Sequence, residues 1–276
     1  MKQPINNAEA SWRQWHRLRE EGLAAEFGWL TLTSYQWLPS APGPLDLVPG
    51  EFSVADGTAV YTPAPGGPVD DYDSGAPVVE PLSATLAEDE SRYWLRVPAA
   101  TRGGADETVV ELGVRGGRYM IRTRARSTPA RDAFDGVPTF DFDPAWALAA
   151  RFEPYAAPRT ETIGSFRADT TLTAEIAGDV VFTGGPAGGQ RLAAEQGADG
   201  SLTLLFTDQT NGDSTPAWRF VNVPAPAVDG SLLVDFNRTL VFPFAFSEHA
   251  VCPAPPRGNA LDIPVTAGER GPAARA

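Results

Sequence analysis

The sequence predicts a mainly β protein: a barrel-like or sandwich β core with one N-terminal amphipathic helix. Three observations support this. The chain carries 27 Gly and 26 Pro, the punctuation of many short strands and turns. After Gly28 the apolar residues alternate with polar ones in short runs. Sustained helical spacing occurs in one place, residues 8–26.

In that first segment Trp12, Trp15, Leu18 and Leu23 recur at helical intervals, Glu and Arg fill the gaps, and Gly28 supplies a stop. Strands are predicted at Gly28–Tyr35, Glu51–Val54, Ala59–Thr62, Val78–Leu86, Tyr93–Val97, Thr108–Val114 and Arg118–Arg124. Further on they are predicted at Thr170–Ile176, Val180–Thr183, Leu202–Thr207, Trp218–Val223 and Leu232–Phe236. Asp56-Gly57, Asp199-Gly200 and Asp229-Gly230 fall between strands, where hairpin turns need residues tolerant of positive φ. A helical turn is predicted at 143–151, with Asp143 as N-cap and Pro144 as first residue. The Pro-rich stretches 39–49, 63–68 and 253–264 read as ordered loops, and 270–276 as a disordered tail. The whole chain is expected to form a single domain, with an internal division possible near 100–106.

At 276 residues the chain can bury roughly 75% of its unfolded surface. Its net charge of −13 argues against nucleic acid or an anionic membrane surface as partner. No early stretch pairs a basic segment with an apolar one, so a cytoplasmic protein is expected. Cys252 is the only cysteine, which excludes an intrachain disulfide. Lys2 is the only lysine, which argues against Schiff-base chemistry. Of the two histidines, His16 lies beside Arg13, Arg17 and Arg19 and is expected to face solvent. His249 is three residues from Cys252, a spacing that sends the two side chains to opposite faces of an extended chain. So few His and Cys ligands leave no metal site and no cofactor expected.

Several blocks resemble one uncharacterised prokaryotic family, domain of unknown function 1684. Asp235-Phe236-Asn237-Arg238, then Cys252-Pro253-Ala254-Pro255-Pro256, Asn259 and Ala267-Gly268-Glu269 are similar to that family's closing pattern of D-F-N-R, C-P-L-P-P, N and A-G-E. Gly28-Trp29-Leu30 to Trp37-Leu38 resembles its G-W-L opening; Gly117-Arg118-Tyr119 to Arg122 and Asp143-Pro144-Ala145-Trp146 resemble its middle. Phe206-Thr207-Asp208-Gln209-Thr210 with Arg219-Phe220 resembles a further block. The resemblance implies kinship and no established reaction. The chain departs from the family's N-P-P-C at Val241-Phe242-Pro243-Phe244, and Ala217-Trp218 stand where the family has Gly-Gly.

Three groups could carry chemistry. Arg118, Arg122, Arg124 and Arg126 fall on one face of a strand. They form either a solvated face paired with Glu107 and Glu111 or an anion-binding wall. Asp132, Asp135, Asp141 and Asp143 cluster in sequence, with cap and turn roles available to Asp143 and Asp135. Asp70, Asp71 and Asp73 invite a calcium reading, but the twelfth position of such a loop is Leu82. Asp235 and Asn237 share a strand face and could orient a ligand or, with Asn259 and Glu269, clamp the Pro-rich loop.

The functional expectation is a cofactor-independent enzyme acting on a small, largely apolar molecule by cyclisation, isomerisation or hydration. Asp235, Arg122 and Arg118 are its candidate catalytic residues. Trp218, Phe242, Phe244, Tyr119 and Asn237 are the candidate binding residues. A non-catalytic binding protein and a purely structural or interaction module are the alternatives. The oligomeric state is not read from the sequence.

Overall fold

Helix α1 runs from Gln3 to Leu23, five residues earlier than its apolar period suggests. Its packed face is Trp12, His16 and Leu23, whereas Leu18 is exposed. The structure is a computed structural model that describes residues 3–99 and 106–271. Its contacts separate into two units. One comprises Gly22–Phe134 with Ser247–Ala250; the other joins the chain up to Glu21 with Asp135–Phe246 and the residues from Val251 onward. We call them the 22–134 unit and the helix-bearing unit. The residues 100–106, where the sequence allows an internal division, fall almost wholly outside the described residues, as does most of the 270–276 tail.

The 22–134 unit contains β1 (Leu32–Trp37), β2 (Gly43–Leu45), β3 (Val48–Ala55), β4 (Thr58–Thr62), β5 (Asp70–Asp71), β6 (Leu82–Ala84), β7 (Ser91–Val97), β8 (Thr108–Arg115), β9 (Arg118–Ala125) and the short helix α2 (Pro129–Asp132). They form two antiparallel sheets, ordered β1-β9-β8-β7-β5 and β2-β3-β4-β6. Phe52, Tyr61 and Trp94 fill the core between apolar faces of these strands. Asp56 and Gly57 both take positive φ (49° and 72°), the geometry of a two-residue hairpin turn matched to strand twist.

The helix-bearing unit contains β10 (Ala147–Ile163), β11 (Leu172–Phe182), β12 (Arg191–Gln196), β13 (Leu202–Phe206), β14 (Arg219–Val223), β15 (Ser231–Asp235) and β16 (Leu240–Val241). They make one antiparallel sheet, β15-β10-β11-β12-β13-β14-β16. Phe152, Phe182, Phe206, Val221 and Phe236 line its buried face.

Strand accounts for 42% and helix for 13% of the structure, so the mainly β expectation holds. The barrel form does not. Each sheet keeps two edge strands and none closes among the described residues. No helix among them is long and apolar enough to cross a membrane.

Local departures have identifiable causes. Trp29–Thr31 is a 3-10 turn rather than strand, closed by Thr31 N–H on Gly28 O. Asp143 does cap Ala145 N–H, but the turn ends at Trp146 and the chain continues as the 17-residue β10. In "ALAARF" alternation resides in Leu148, Ala150 and Phe152, and the alanines weaken it. Its second half is exposed and irregular around Pro154, so no apolar period marks it.

Candidate functional site

On β9 of the 22–134 unit the arginine stripe divides. Arg118 and Arg126 are exposed, and Arg118 lies 3.9 Å over the Trp37 ring. Arg122 and Arg124 are buried against Glu111 of β8, the cross-strand partner of Arg122. Arg122 Nη2 donates to Glu111 Oε1 at 2.5 Å; Arg124 Nη2 and Nε donate to Oε2 at 2.6 and 3.1 Å. Pairing with Glu107 and Glu111 matches the expectation, since Arg126 takes Glu107. A solvated face does not, because Trp29 covers the middle pair at 5.0 and 5.4 Å.

Arg124 is fixed further by donating Nη1 to Phe27 O and Gly28 O at 2.9 and 2.7 Å. Arg122 Nε is buried with no hydrogen-bond partner. Burial opposes ionisation of Glu111, but Arg122 and Arg124 outweigh it and hold the carboxyl below its usual range. Burial lowers Arg122 despite Glu111. Beside this cluster lies a cavity of about 290 Å³ lined by Ser91, Arg92, Tyr93, Glu111 and Arg124.

A second feature lies on the outer face of the β12–β13–β14 sheet in the helix-bearing unit. Along β14 Arg219, Val221 and Val223 point to the core, which leaves Phe220 and Asn222 on the opposite face. Their cross-strand partners on β13 are Leu205 and Thr203. With Glu195, Gln196, Gly197, Phe242 and Pro253 they line a groove of about 420 Å³. Rings continue along the same unit. Phe220 and Phe242 have centroids 4.3 Å apart, Phe242 and Phe244 6.2 Å, and Phe244 stands 4.7 Å from both Trp218 and Phe166. Neither Phe242 nor Phe244 belongs to the unit's main core cluster.

The remaining candidates hold backbone. Asp235 Oδ1 caps the turn that follows β15, accepting Asn237 N–H and Nδ2 at 3.1 and 2.8 Å. Asn237 is buried; its amide grips Asp143 N–H and C=O, and its own carbonyl accepts Trp12 Nε1 at 2.6 Å. Tyr119 is a core residue whose hydroxyl bonds Leu86 N–H and Gly57 O. Asp71 Oδ1 closes a turn by accepting Ser74 N–H and Oγ–H. Asp235, Asn237, Trp218, Phe242 and Phe244 lie in the helix-bearing unit, and Arg118, Tyr119 and Arg122 in the other.

The N-terminal helix brings in a group that sequence spacing mislabels. His16 does not face solvent. It stacks on Trp12 and stands 3.7 Å from Glu20 and 3.9 Å from the fully buried Glu269. Glu269 also accepts Arg19 Nε at 3.3 Å and Val241 N–H at 2.8 Å. Burial nonetheless raises its carboxyl above the usual range, against Arg19, Val241 N–H and His16. The strand-face reading of the arginines already names Glu111 as a partner, and Asp208 and Arg219 fall in one resembling block, but no sequence pattern reports that these groups are buried.

The family profile described as protein of unknown function (DUF1684) matches residues 132–270, half of the chain. The chain belongs to this family. The resembling blocks at Gly28–Leu38 and Gly117–Arg122 lie outside the matched residues. No curated protein matches the chain. An uncharacterized protein of Haloarcula marismortui, solved by solution NMR, is 27% identical over 54% of this chain and 83% of its own, with a TM-score of 0.44.

Within the DUF1684 match, the resembling residues read as backbone clamps. Asn259 Nδ2 donates to Ala193 O and Leu205 O while its Oδ1 accepts Ala193 N–H, so one amide bridges β12 and β13 where their ladder has ended. Arg219 Nη1 donates to Ala267 O and Glu269 O, and its Nη2 to Asp208 and Val265 O. Gly268 between those carbonyls has φ of +75°, and a Cβ there would come within 2.6 Å of Thr239. Only glycine fits both demands.

Proposed function

We propose that this DUF1684 chain binds a small, largely apolar molecule in the groove of Leu205, Phe220, Phe242 and Pro253. The observation that carries the reading is the placement of Phe242. The chain sets an aromatic ring where the family pattern has proline, and that ring, itself buried, lines a groove and lies outside the unit's main core cluster. Its volume of about 420 Å³ falls in the range of small-molecule sites, roughly 300–1,000 Å³. Thr203, Asn222 and Gln196 are polar residues of the lining, with Thr203 Oγ1 donating to Asn222 Oδ1 and Gln196 Nε2 to Gly200 O. The strongly acidic chain, with a net charge of −13, favours such a ligand over nucleic acid or anionic lipid, and a cytoplasmic setting is part of the proposal.

Catalysis of a cyclisation, isomerisation or hydration would need a group at the groove that moves a proton. Glu195 is the ionisable residue of the lining. Asp235 is engaged as a cap, so we favour binding over turnover. Titration with Nile red, followed by its fluorescence, tests the reading. Phe242→Ala and Phe220→Ala should weaken binding about tenfold or more, with Phe220→Ala melting close to the parent and Phe242→Ala, whose ring is buried, losing less than the about 3–5 kcal/mol of a core aromatic. Unchanged binding, or melting losses of core size, would remove the proposal's support.

A further inference from the structure

We infer that the groove of Leu205, Phe220 and Phe242 takes a protonated amine on a flat apolar body, with its ammonium at Glu195. This rests on the groove being a binding site and adds the chemical class of what it holds.

Strand register orders the groove into two rows. Ala194 of β12, Leu202 and Leu204 of β13, and Val221 and Val223 of β14 face the core. Their neighbours along each strand therefore take the outer face. Glu195 pairs with Thr203, and Thr203 with Asn222, so one polar row crosses three strands. Leu205 pairs with Phe220 in an apolar row beside it, and the Phe242 ring stands 4.3 Å from that of Phe220. Two residues along a strand separate the rows by roughly 6–7 Å. A ligand lying across both needs an apolar end and a polar end at that spacing. A flat body suits the rings of Phe220, Phe242 and Pro253.

The polar row sets the charge. Glu195 is the ionisable residue of the lining, and neither Arg nor His accompanies it there. Thr203 Oγ1 spends its hydrogen on Asn222 Oδ1 at 3.0 Å, so toward a ligand that oxygen can only accept. The end of the row at Glu195 and Thr203 thus presents acceptors and a negative charge. An ammonium answers both, with its charge for the carboxylate and its hydrogens for the oxygens. A carboxylate ligand would meet Glu195 as a like charge. The net charge of −13 draws cations to the chain and repels anions.

Compounds of one shape and different charge provide the test: naphthylethylamine, neutral naphthylethanol and anionic naphthylacetate. Each is titrated into the intact chain by calorimetry, with the backbone amide resonances of Thr203 and Asn222 followed alongside. The amine should bind about fivefold or more tighter than the alcohol, and the acetate most weakly. Glu195→Gln should erase the preference for the amine and leave the affinities for naphthylethanol and Nile red unchanged. Glu195→Asp should keep part of the preference. Equal binding of amine and alcohol overturns the inference, as does tighter binding of the acetate or no binding of the amine. An amine preference that survives Glu195→Gln also overturns it, because the overall charge of the chain would then account for the effect. Nile red binding that weakens in Phe220→Ala, without any amine preference, sinks this inference and leaves the groove reading intact. If neither Nile red nor any of the naphthyl compounds binds, both fall.

Discussion

Arg219 and Asp208 form an ion pair of 2.8 Å in which neither side chain has any solvent exposure. Arg219 sits at the start of β14 and Asp208 just beyond β13, so the pair ties the loop between those strands to the sheet. Breaking one partner of such a pair typically costs about 3–5 kcal/mol, because the survivor stays buried and uncompensated. Asp208→Asn and Arg219→Met should each destabilise by that order in urea unfolding. The double variant should lose less than the sum. Additive losses would show that the pair is not energetically coupled.

Two buried glutamates should give stability profiles of opposite slope. Glu111 is held below its ordinary value of 4.5, so its contribution is present above that pH and is lost as pH falls through the lowered value. Glu269 is raised above 4.5, so its contribution is fully present below that pH and is lost as pH rises through the raised value. The stability of the parent relative to Glu111→Gln should therefore shrink in acid. Relative to Glu269→Gln it should shrink toward neutrality. Melting temperatures across a pH series read both, and parallel slopes would refute the assignment.

Asn259→Ala should cost about 2–4 kcal/mol. It leaves the buried N–H and C=O of Ala193 and the C=O of Leu205 without their partner, at roughly 1–3 kcal/mol for each unsatisfied group before local relaxation. Hydrogen exchange gives the site-specific readout. The Ala193 amide should lose protection more than its neighbours on β12.

Phe244 and Phe236 provide a matched comparison. Phe236 is fully buried and meets Trp146, Phe182 and Phe206, so Phe236→Ala should lose about 3–5 kcal/mol. Phe244 is half-buried between Phe166 and Trp218, and Phe244→Ala should lose about 1–2 kcal/mol. Equal losses in thermal melts would place Phe244 in the core.

The legible parts of the fold were those with strong local signals. β8 and β9 carry dense β-branched residues between turns, and Gly116-Gly117 closes their hairpin with φ of 58° and 72°. The Asp143 cap reads directly from Asp-Pro. β10 was not legible, because its burial is set by β11 and β15 on either side and its own residues are largely Ala, Glu, Arg and Thr. Among site residues, Phe242 stood out as an aromatic ring where the family pattern has proline. The burial of Glu111, already named as a partner of the arginines, and the place of Tyr93 beside it did not, because a carboxylate or phenol on an alternating strand looks the same whether it meets water or a second guanidinium. His16 was misplaced for a similar reason. Neighbouring arginines along a helix do not report that Glu269, distant in the chain, packs against the same face.

The discontinuity of the helix-bearing unit bears on the order in which the protein matures during translation. Arg19 leaves the ribosome early, yet its acceptor Glu269 is synthesised 250 residues later. Arg219 likewise waits for Val265, Ala267 and Glu269 to supply carbonyls for its guanidinium. The intervening Gly22–Phe134 segment contains both strands of every pair in its two sheets and depends on no such delayed partner for them. It can condense while the emerging helix stays undocked. A nascent chain stalled before residue 265 should therefore display one protease-resistant block flanked by unprotected polypeptide, with the second block closing late and in a single step.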